Sequence, residues 1–288
     1  MMDGALVVDK PEGWTSHDVV NRVRRLANTR KVGHLGTLDP MATGVLPVLV
    51  GRVTRLAQFY SRGEKTYEAS IRFGFATDTW DRMGSAVSPD AAVEISPESI
   101  EPLLAKFRGR FLQTPPPVSA KKVGGTPAYK LARKKVEVAL EPVEIEVFEL
   151  ALLEASGSVA RVRCRCSAGT YLRAIAHDMG RELGCGAHLS GLKRTASGPF
   201  TIEQAHSLEA LEGNLESAFI ASTGLLPEFP AVMLDEGGCT HVRQGRNFPA
   251  SPFRAGAGSR YVKAVWRDEL VAIGERVLPN LYHPVVVL

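Results

Sequence analysis

Residues 33–46 read GHLGTLDPMATGVL: one carboxylate, Asp39, set among glycines and apolar side chains and followed at once by proline. Pro40 restricts Asp39 to extended backbone, while Gly36 and Gly44 permit sharp turns on either side. Such a loop can project a single carboxylate from an apolar wall, a setting suited to nucleophilic or acid–base chemistry. An Asp-Pro step also initiates turns, and on the dipeptide alone a turn is the better reading. Two other signals fail on geometry. Ser16, His17 and Asp18 are the residue types of a hydrolase triad, but neighbours on a helix point in different directions and cannot bond in series. Gly33, Gly36 and Gly44 lack the spacing of a dinucleotide fingerprint, and no lysine stands where a phosphate-binding loop needs one.

The elements around Asp39 follow from periodicity. ALVVDK, residues 5–10, reads as a strand, and TSHDVVNRVRRLA begins a helix with Thr15 and Ser16 as candidate caps and Val19, Val20, Val23 and Leu26 on one face. From Tyr67 the alternation Tyr67, Ala69, Ile71, Phe73 against Glu68, Ser70, Arg72 has the period of a half-buried strand, with Tyr67 on the apolar face. PESIEPLLAKF predicts a helix, and VEIEVFEL and VARVRCRCS predict strands. The last has Arg161, Arg163 and Arg165 on one face, a triply cationic surface. TYLRAIAHDMGRELGCG predicts a helix that buries Leu172, Ile175 and Met179 and stops at Gly184. A strand-rich tail begins near residue 229, with RYVKAVWRD and ELVAIGERVL as a hairpin around Asp268 and Glu269. Strands mixed with fewer helices predict an α+β fold with a mixed, largely antiparallel sheet.

At 288 residues, one large domain and a small one are expected. An apolar share of 44% and a charged share of 23% are ordinary for a folded chain. The amino-terminal residues do not match a secretory signal, and nothing approaches a membrane span, so a cytoplasmic protein is expected. Cys164, Cys166, Cys185 and Cys239 lack zinc-site spacing and read as reduced thiols. The net charge of +4 is unevenly placed. Residues 10–62 carry nine Lys and Arg against three acids, and KKVGGTPAYKLARKK, residues 121–135, carries six basic residues and no acid. Local basic blocks suit a polyanion, although solvated faces are the plainer reading.

Four blocks resemble the TruB family of tRNA pseudouridine synthases, in that family's order: DKPEGWTSHDVV (9–20), KVGHLGTLDPMATGVLPV (31–48), KTYEASIRFGFATDTWD (65–81) and SAGTYLRAIAHDMGRELGCGAHLSGLKR (167–194). QTPPPVSAKKVGGTPAYKLAR is similar to that family's RNA-gripping insertion, placed at about 113–140, and the tail resembles, more weakly, its small PUA domain. The resemblance implies a pseudouridine synthase catalytic domain over 1–229 and a β-rich PUA-like RNA-binding domain over 230–288. It implies isomerisation of the T-loop uridine at position 55 of tRNA, by a monomer that binds the T-arm and uses neither metal nor cofactor. Asp39 then matches the nucleophile, Arg173 the arginine that pairs with it and keeps its pKa low, and Tyr67 the tyrosine that stacks on the base and takes the C5 proton. His34 matches the histidine that fills the space of the flipped base; Lys10, Tyr171 and Leu192 match residues lining the pocket or its floor, the lysine beside phosphate and ribose. Leu35 and Val118 depart from the family's usual threonine and tyrosine. Two other readings stand beside this one: a tRNA-binding protein of the same fold without catalysis, and a carboxylate glycosidase with Asp78 or Asp81 as second acid.

Overall fold

The computed structural model describes residues 2–119, 140–250 and 259–288, with the backbone of 122–123 and 126–127. Its larger sheet has ten strands. The principal ones are β1 (Gly4–Lys10), β2 (Val32–His34), β3 (Thr43–Val50), β4 (Lys65–Phe73), β5 (Gly109–Gln113), β6 (Val143–Ser156), β7 (Val159–Cys166) and β8 (Ala187–Ser197). They run in the order β1-β3-β8-β4-β7-β6-β5, and β2 pairs with β3. Only β3 and β8 are parallel neighbours among these pairs; the rest are antiparallel.

Helices α1 (Ser16–Leu26), α2 (Pro97–Lys106) and α3 (Leu172–Glu182) cover one face of this sheet. Thr15 caps α1 in a capping box with Asp18, which frees Ser16 for another use described below. Burial along β4 alternates without a break, and Tyr67, Ala69, Ile71 and Phe73 all join the core under the helices, as their spacing predicts. The opposite face, including Ala5, Val7, Val45 and Leu49, packs on Val265, Leu270, Ile273 and Val286 of a second sheet of five strands. That sheet is built on β9 (Tyr261–Trp266), β10 (Glu269–Leu278) and β11 (Leu281–Val287), with the short strands Ala231–Met233 and Phe248–Pro249 at its edges and the helix α4 (Glu236–Arg243) against it. The β9–β10 turn is made by Arg267 and Asp268, one residue earlier than expected, and Arg267 takes the positive φ such a tight turn demands.

One expectation is changed and another lies outside the described residues. Arg161, Arg163 and Arg165 do not form a free cationic face: Arg161 pairs with Glu154 at 2.9 Å, Arg165 with Glu64 at 2.7 Å, and Arg163 stands 3.9 Å from Glu68. The acids lie on or just before the neighbouring strands, where sequence spacing does not show them. The basic run at 121–135 falls outside the described residues, apart from the backbone of two short strands, Lys122–Val123 and Thr126–Pro127.

Candidate active site

The loop between β2 and β3 carries Asp39, and buried polar side chains hold it on each side. Ser16, at the first turn of α1, accepts from Leu38 N at 2.8 Å and donates to Leu38 O at 3.2 Å. Lys10, at the end of β1, donates from Nζ to Pro40 O at 3.2 Å, Trp14 O at 2.6 Å and Pro11 O at 2.9 Å. Arg194, on β8, donates from Nε to Val45 O at 2.7 Å and from Nη2 to Gly36 O at 3.1 Å, joining the two ends of the loop. Gly36 and Gly44 have φ of +106° and +96°. A Cβ at Gly44 would stand 2.2 Å from Arg194 O, so glycine is what lets β3 approach β8. The Asp-Pro turn exists, with Ala42 N donating to Asp39 O at 3.0 Å; turn and chemistry are compatible readings of one residue.

Arg173, in the first turn of α3, meets Asp39 from the opposite side. Its Nη2 donates to Oδ1 at 3.1 Å, and its Nε lies 2.9 Å from Oδ2 without its N–H aligning as a hydrogen bond. The remaining nitrogen, Nη1, donates to Thr79 O at 3.3 Å and lies 3.5 Å from Oδ2 of Asp81. A nearly buried guanidinium therefore serves two carboxylates, one on each side. The start of α3 is itself fixed by Gln113 at the end of β5, whose amide accepts from Tyr171 N at 2.8 Å and donates to Tyr171 O at 3.1 Å.

Six of the seven residues singled out in the sequence, Asp39, Arg173, Tyr67, His34, Tyr171 and Leu192, line one cavity of about 450 Å³. That is within the range of small-ligand sites. Lys10 does not. It is fully buried behind the Asp39 loop, its ammonium spent on three carbonyls, so the expectation of a lysine beside phosphate and ribose is replaced by a strut beneath Pro40. Burial pushes that ammonium down to about 8, against the pull of Asp39 and Glu12. Sequence reasoning overlooked Lys65 and Arg194, which also line the cavity. A signal was present for Lys65, which stands two residues before Tyr67 on the same face of β4; Arg194 is tied to Tyr67 only by the register of β8 on β4.

Electrostatics assign states to these groups. Burial raises the Asp39 carboxyl above the ordinary aspartate value of about 3.9; Arg173 pulls it back and Asp81 adds to the rise. A third of the side chain stays open, toward the cavity it lines, and the rest is desolvated. The guanidinium thus limits the rise and does not hold the pKa low, as the sequence reading expected. Burial pushes the Tyr67 phenol up to about 12 although Arg194 stands at its oxygen, so it is a neutral hydrogen-bonding phenol at pH 7. Burial, with Arg194, lowers the His34 imidazole and keeps it neutral. Burial brings the Lys65 ammonium down to about 8. If Asp39 must be ionised to react, kcat/KM falls as pH drops through its raised pKa. The acid limb of the pH profile is then expected above the range of a free aspartate, and a limb at or below about 3.9 would contradict that.

A sequence model described as TruB family pseudouridylate synthase (N terminal domain) matches residues 24–172, which carry Asp39 and Tyr67. A second, the tRNA pseudouridylate synthase B C-terminal domain, matches 173–222 and begins at Arg173. The chain is 58% identical to the tRNA pseudouridine synthase B of Solibacter usitatus, with 100% of each chain covered. The chain belongs to the TruB family of pseudouridylate synthases. It is 43% identical to the enzyme of that name from Geobacter sulfurreducens over 90% of this chain and 86% of the other. Among solved structures, a Cbf5-Nop10-Gar1 complex matches with a TM-score of 0.71 and 28% identity, covering 96% of this chain and 79% of that one. An H/ACA RNP bound to a substrate RNA containing 2'-deoxyuridine matches at 0.71 and 25%, covering 99% and 84%. The TruB-family assignment makes the chain an isomerase with a pseudouridine synthase fold and a PUA-like β unit at its C-terminal end. Within that family the second-acid reading loses its footing. Asp81 is committed to Arg173, Thr79 Oγ1 (2.7 Å) and Met83 N (2.9 Å), and Asp78 accepts from Ser85 N in a surface turn.

Proposed function

We propose that this enzyme isomerises the T-loop uridine at position 55 of tRNA to pseudouridine, with Asp39 as the nucleophile. The observation that carries the reading is the Asp39–Arg173 pair, which opens on a nucleoside-sized cavity walled by Tyr67, Tyr171 and Leu192. Relatives carrying the name tRNA pseudouridine synthase B support tRNA as the substrate.

Uridine and pseudouridine are isomers. The N1–C1′ bond breaks, a C5–C1′ bond forms, C5 gives up a proton and N1 takes one, so the balance closes with no electrons transferred. The base must first leave its stack, at a cost of a few kcal/mol. His34, uncharged and apolar on its faces, suits the vacated place in the stack. The flipped base lies on Tyr67, against Leu192 and Tyr171, the apolar surroundings a π-face favours. Asp39 forms a bond to the uridine, either at C1′ as the N1–C1′ bond breaks or at C6 as the C5–C6 double bond opens, and that bond breaks again before product leaves; Arg173 favours the ionised carboxylate and aims it. Tyr67 is the group nearest the role of taking the C5 proton. Being a neutral phenol, it acts by passing its own proton on, with Arg194 steadying the charge that passes through its oxygen.

Residues 1–229 are assigned to catalysis and 230–288 to RNA binding, with the insertion at 113–140 as a basic clamp on the T-arm. Action as a monomer is part of the proposal. A tRNA substrate supports a cytoplasmic location. Because phosphate contacts release counterions, tRNA affinity is expected to fall steeply with salt, by roughly 10³ or more between 50 and 200 mM if six or more phosphates are neutralised. Titration at several salt concentrations checks this, and a salt-independent Kd would remove the clamp. The function itself is tested by incubating the enzyme with an unmodified tRNA transcript and mapping pseudouridine by position. A single conversion in the T-loop is expected, and conversion elsewhere would redirect the assignment.

A further inference from the structure

Trp80 stands in left-handed backbone, φ +63°, a conformation that a bulky L-residue adopts only under constraint. Its indole lies flat on the imidazole of His177, with ring centroids 4.3 Å apart and planes 9° from parallel. His177 Nδ1 is buried with no hydrogen-bond partner, so the ring is placed by its face and not by its nitrogen. Both residues border the Arg173 ion pair. Thr79 and Asp81, on either side of Trp80, supply the two oxygens that hold Arg173 Nη1, and His177 lies one helical turn beyond Arg173 on α3. The 77–82 turn is joined to β8 by Leu189 N donating to Trp80 O and Arg82 N to Leu189 O, each at 3.0 Å. The aromatic stack joins the same turn to α3.

We propose that the Trp80–His177 stack is a positioning device, clamping the 77–82 turn to α3 so that Thr79 and Asp81 fix the plane of the Arg173 guanidinium facing Asp39. The inference rests on reading Asp39 and Arg173 as the reacting pair. Its physical need is specific. An arginine has several rotatable bonds, and its Nε–Nη2 edge faces a carboxylate whose charge is consumed when it bonds to the substrate. The Nη1 edge is the anchor that survives that step, and its oxygens sit on a turn that the indole holds in place.

Trp80→Gly separates this role from plain stability. Glycine favours φ above zero, so the variant keeps the turn's backbone and relieves its strain while deleting the stack. Expected are a thermal midpoint near that of the wild type, unchanged KM for tRNA, and a single-turnover rate of pseudouridine formation lower by roughly ten- to hundred-fold, the penalty of a small misplacement. Trp80→Phe and His177→Phe, which keep flat faces, restore the rate to within about three-fold. Trp80→Gly combined with His177→Ala loses no more than either alone, as groups acting as one unit do. The inference is overturned if Trp80→Gly turns over at the wild-type rate, or if its loss follows a parallel fall in stability that Trp80→Phe does not repair. A wild-type enzyme that makes no pseudouridine overturns the reading of the site together with the stack. An active wild type with an unaffected Trp80→Gly overturns the stack alone.

Discussion

Asp39→Asn is expected to abolish pseudouridine formation, lowering the single-turnover rate by at least roughly 10⁴, the scale on which removal of a nucleophile is felt. Asparagine matches aspartate in shape, can still accept from Arg173 Nη2 through its Oδ1, and leaves the Ser16 and Lys10 struts untouched, since those bind the backbone of Leu38 and Pro40. Fold and cavity therefore persist, and tRNA binding stays as tight or tightens, because one negative charge has been removed from a site that receives a polyanion. The pair of measurements, a filter-binding Kd and a single-turnover rate, separates an enzyme from a protein of this fold that only holds tRNA. A variant that still converts uridine would show that the nucleophile lies elsewhere.

Arg173→Met has the second largest expected effect and reaches further. The guanidinium is 4% exposed and faces two carboxylates, so its loss leaves Asp81 buried and Asp39 beside it with no cation between them. Breaking such an arrangement from one side costs about 3–5 kcal/mol, and the rate is expected to fall by roughly 10²–10³ in addition to any loss of folded protein. The Asp39 carboxyl, already raised by burial and no longer pulled back by Arg173, moves to still higher pKa, which gives a sign to check. That penalty is fully present above its folded pKa and disappears below its unfolded one, so the stability deficit shrinks as pH falls. Arg173→Lys restores one positive charge but not two opposed edges, and recovers stability better than rate. Urea unfolding at pH 5 and pH 8, read beside kcat, distinguishes these contributions; equal deficits at both pH values would mean that the carboxylates do not depend on Arg173.

Much of this arrangement can be read in the chain, and the unreadable part has definite causes. Period-two alternation placed Tyr67 on the core face of β4, and period 3.6 set out α1 and α3, because each of these elements buries one face only. Strand β8 escaped notice. Two register shifts, at Leu189/Gly191 and Arg194/Ala196, break its alternation, and its cations Lys193 and Arg194 sit where a central strand would carry apolar residues. Arg194 is buried there because it is a cross-link between the ends of the Asp39 loop, a task defined by tertiary contacts alone. Lys10 was misplaced for a related reason: lysine in a motif suggests a phosphate, whereas its burial behind Pro40 is visible only once β1 and the loop are packed together. The pairing of Asp39 with Arg173 spans 134 residues and had no local signal; only the family resemblance joined them. Trp80 and His177 carried no warning either, since a stack between a turn and a helix has no period.

The most direct test of the central claim uses a tRNA transcript with tritium at C5 of its uridines. Isomerisation at one site must expel the C5 hydrogen of that uridine to water while the base stays in the RNA. The account predicts release of one equivalent per tRNA, with no free uracil, and no release once the T-loop uridine is replaced by cytidine. Uracil set free, or tritium release that survives that replacement, would contradict it.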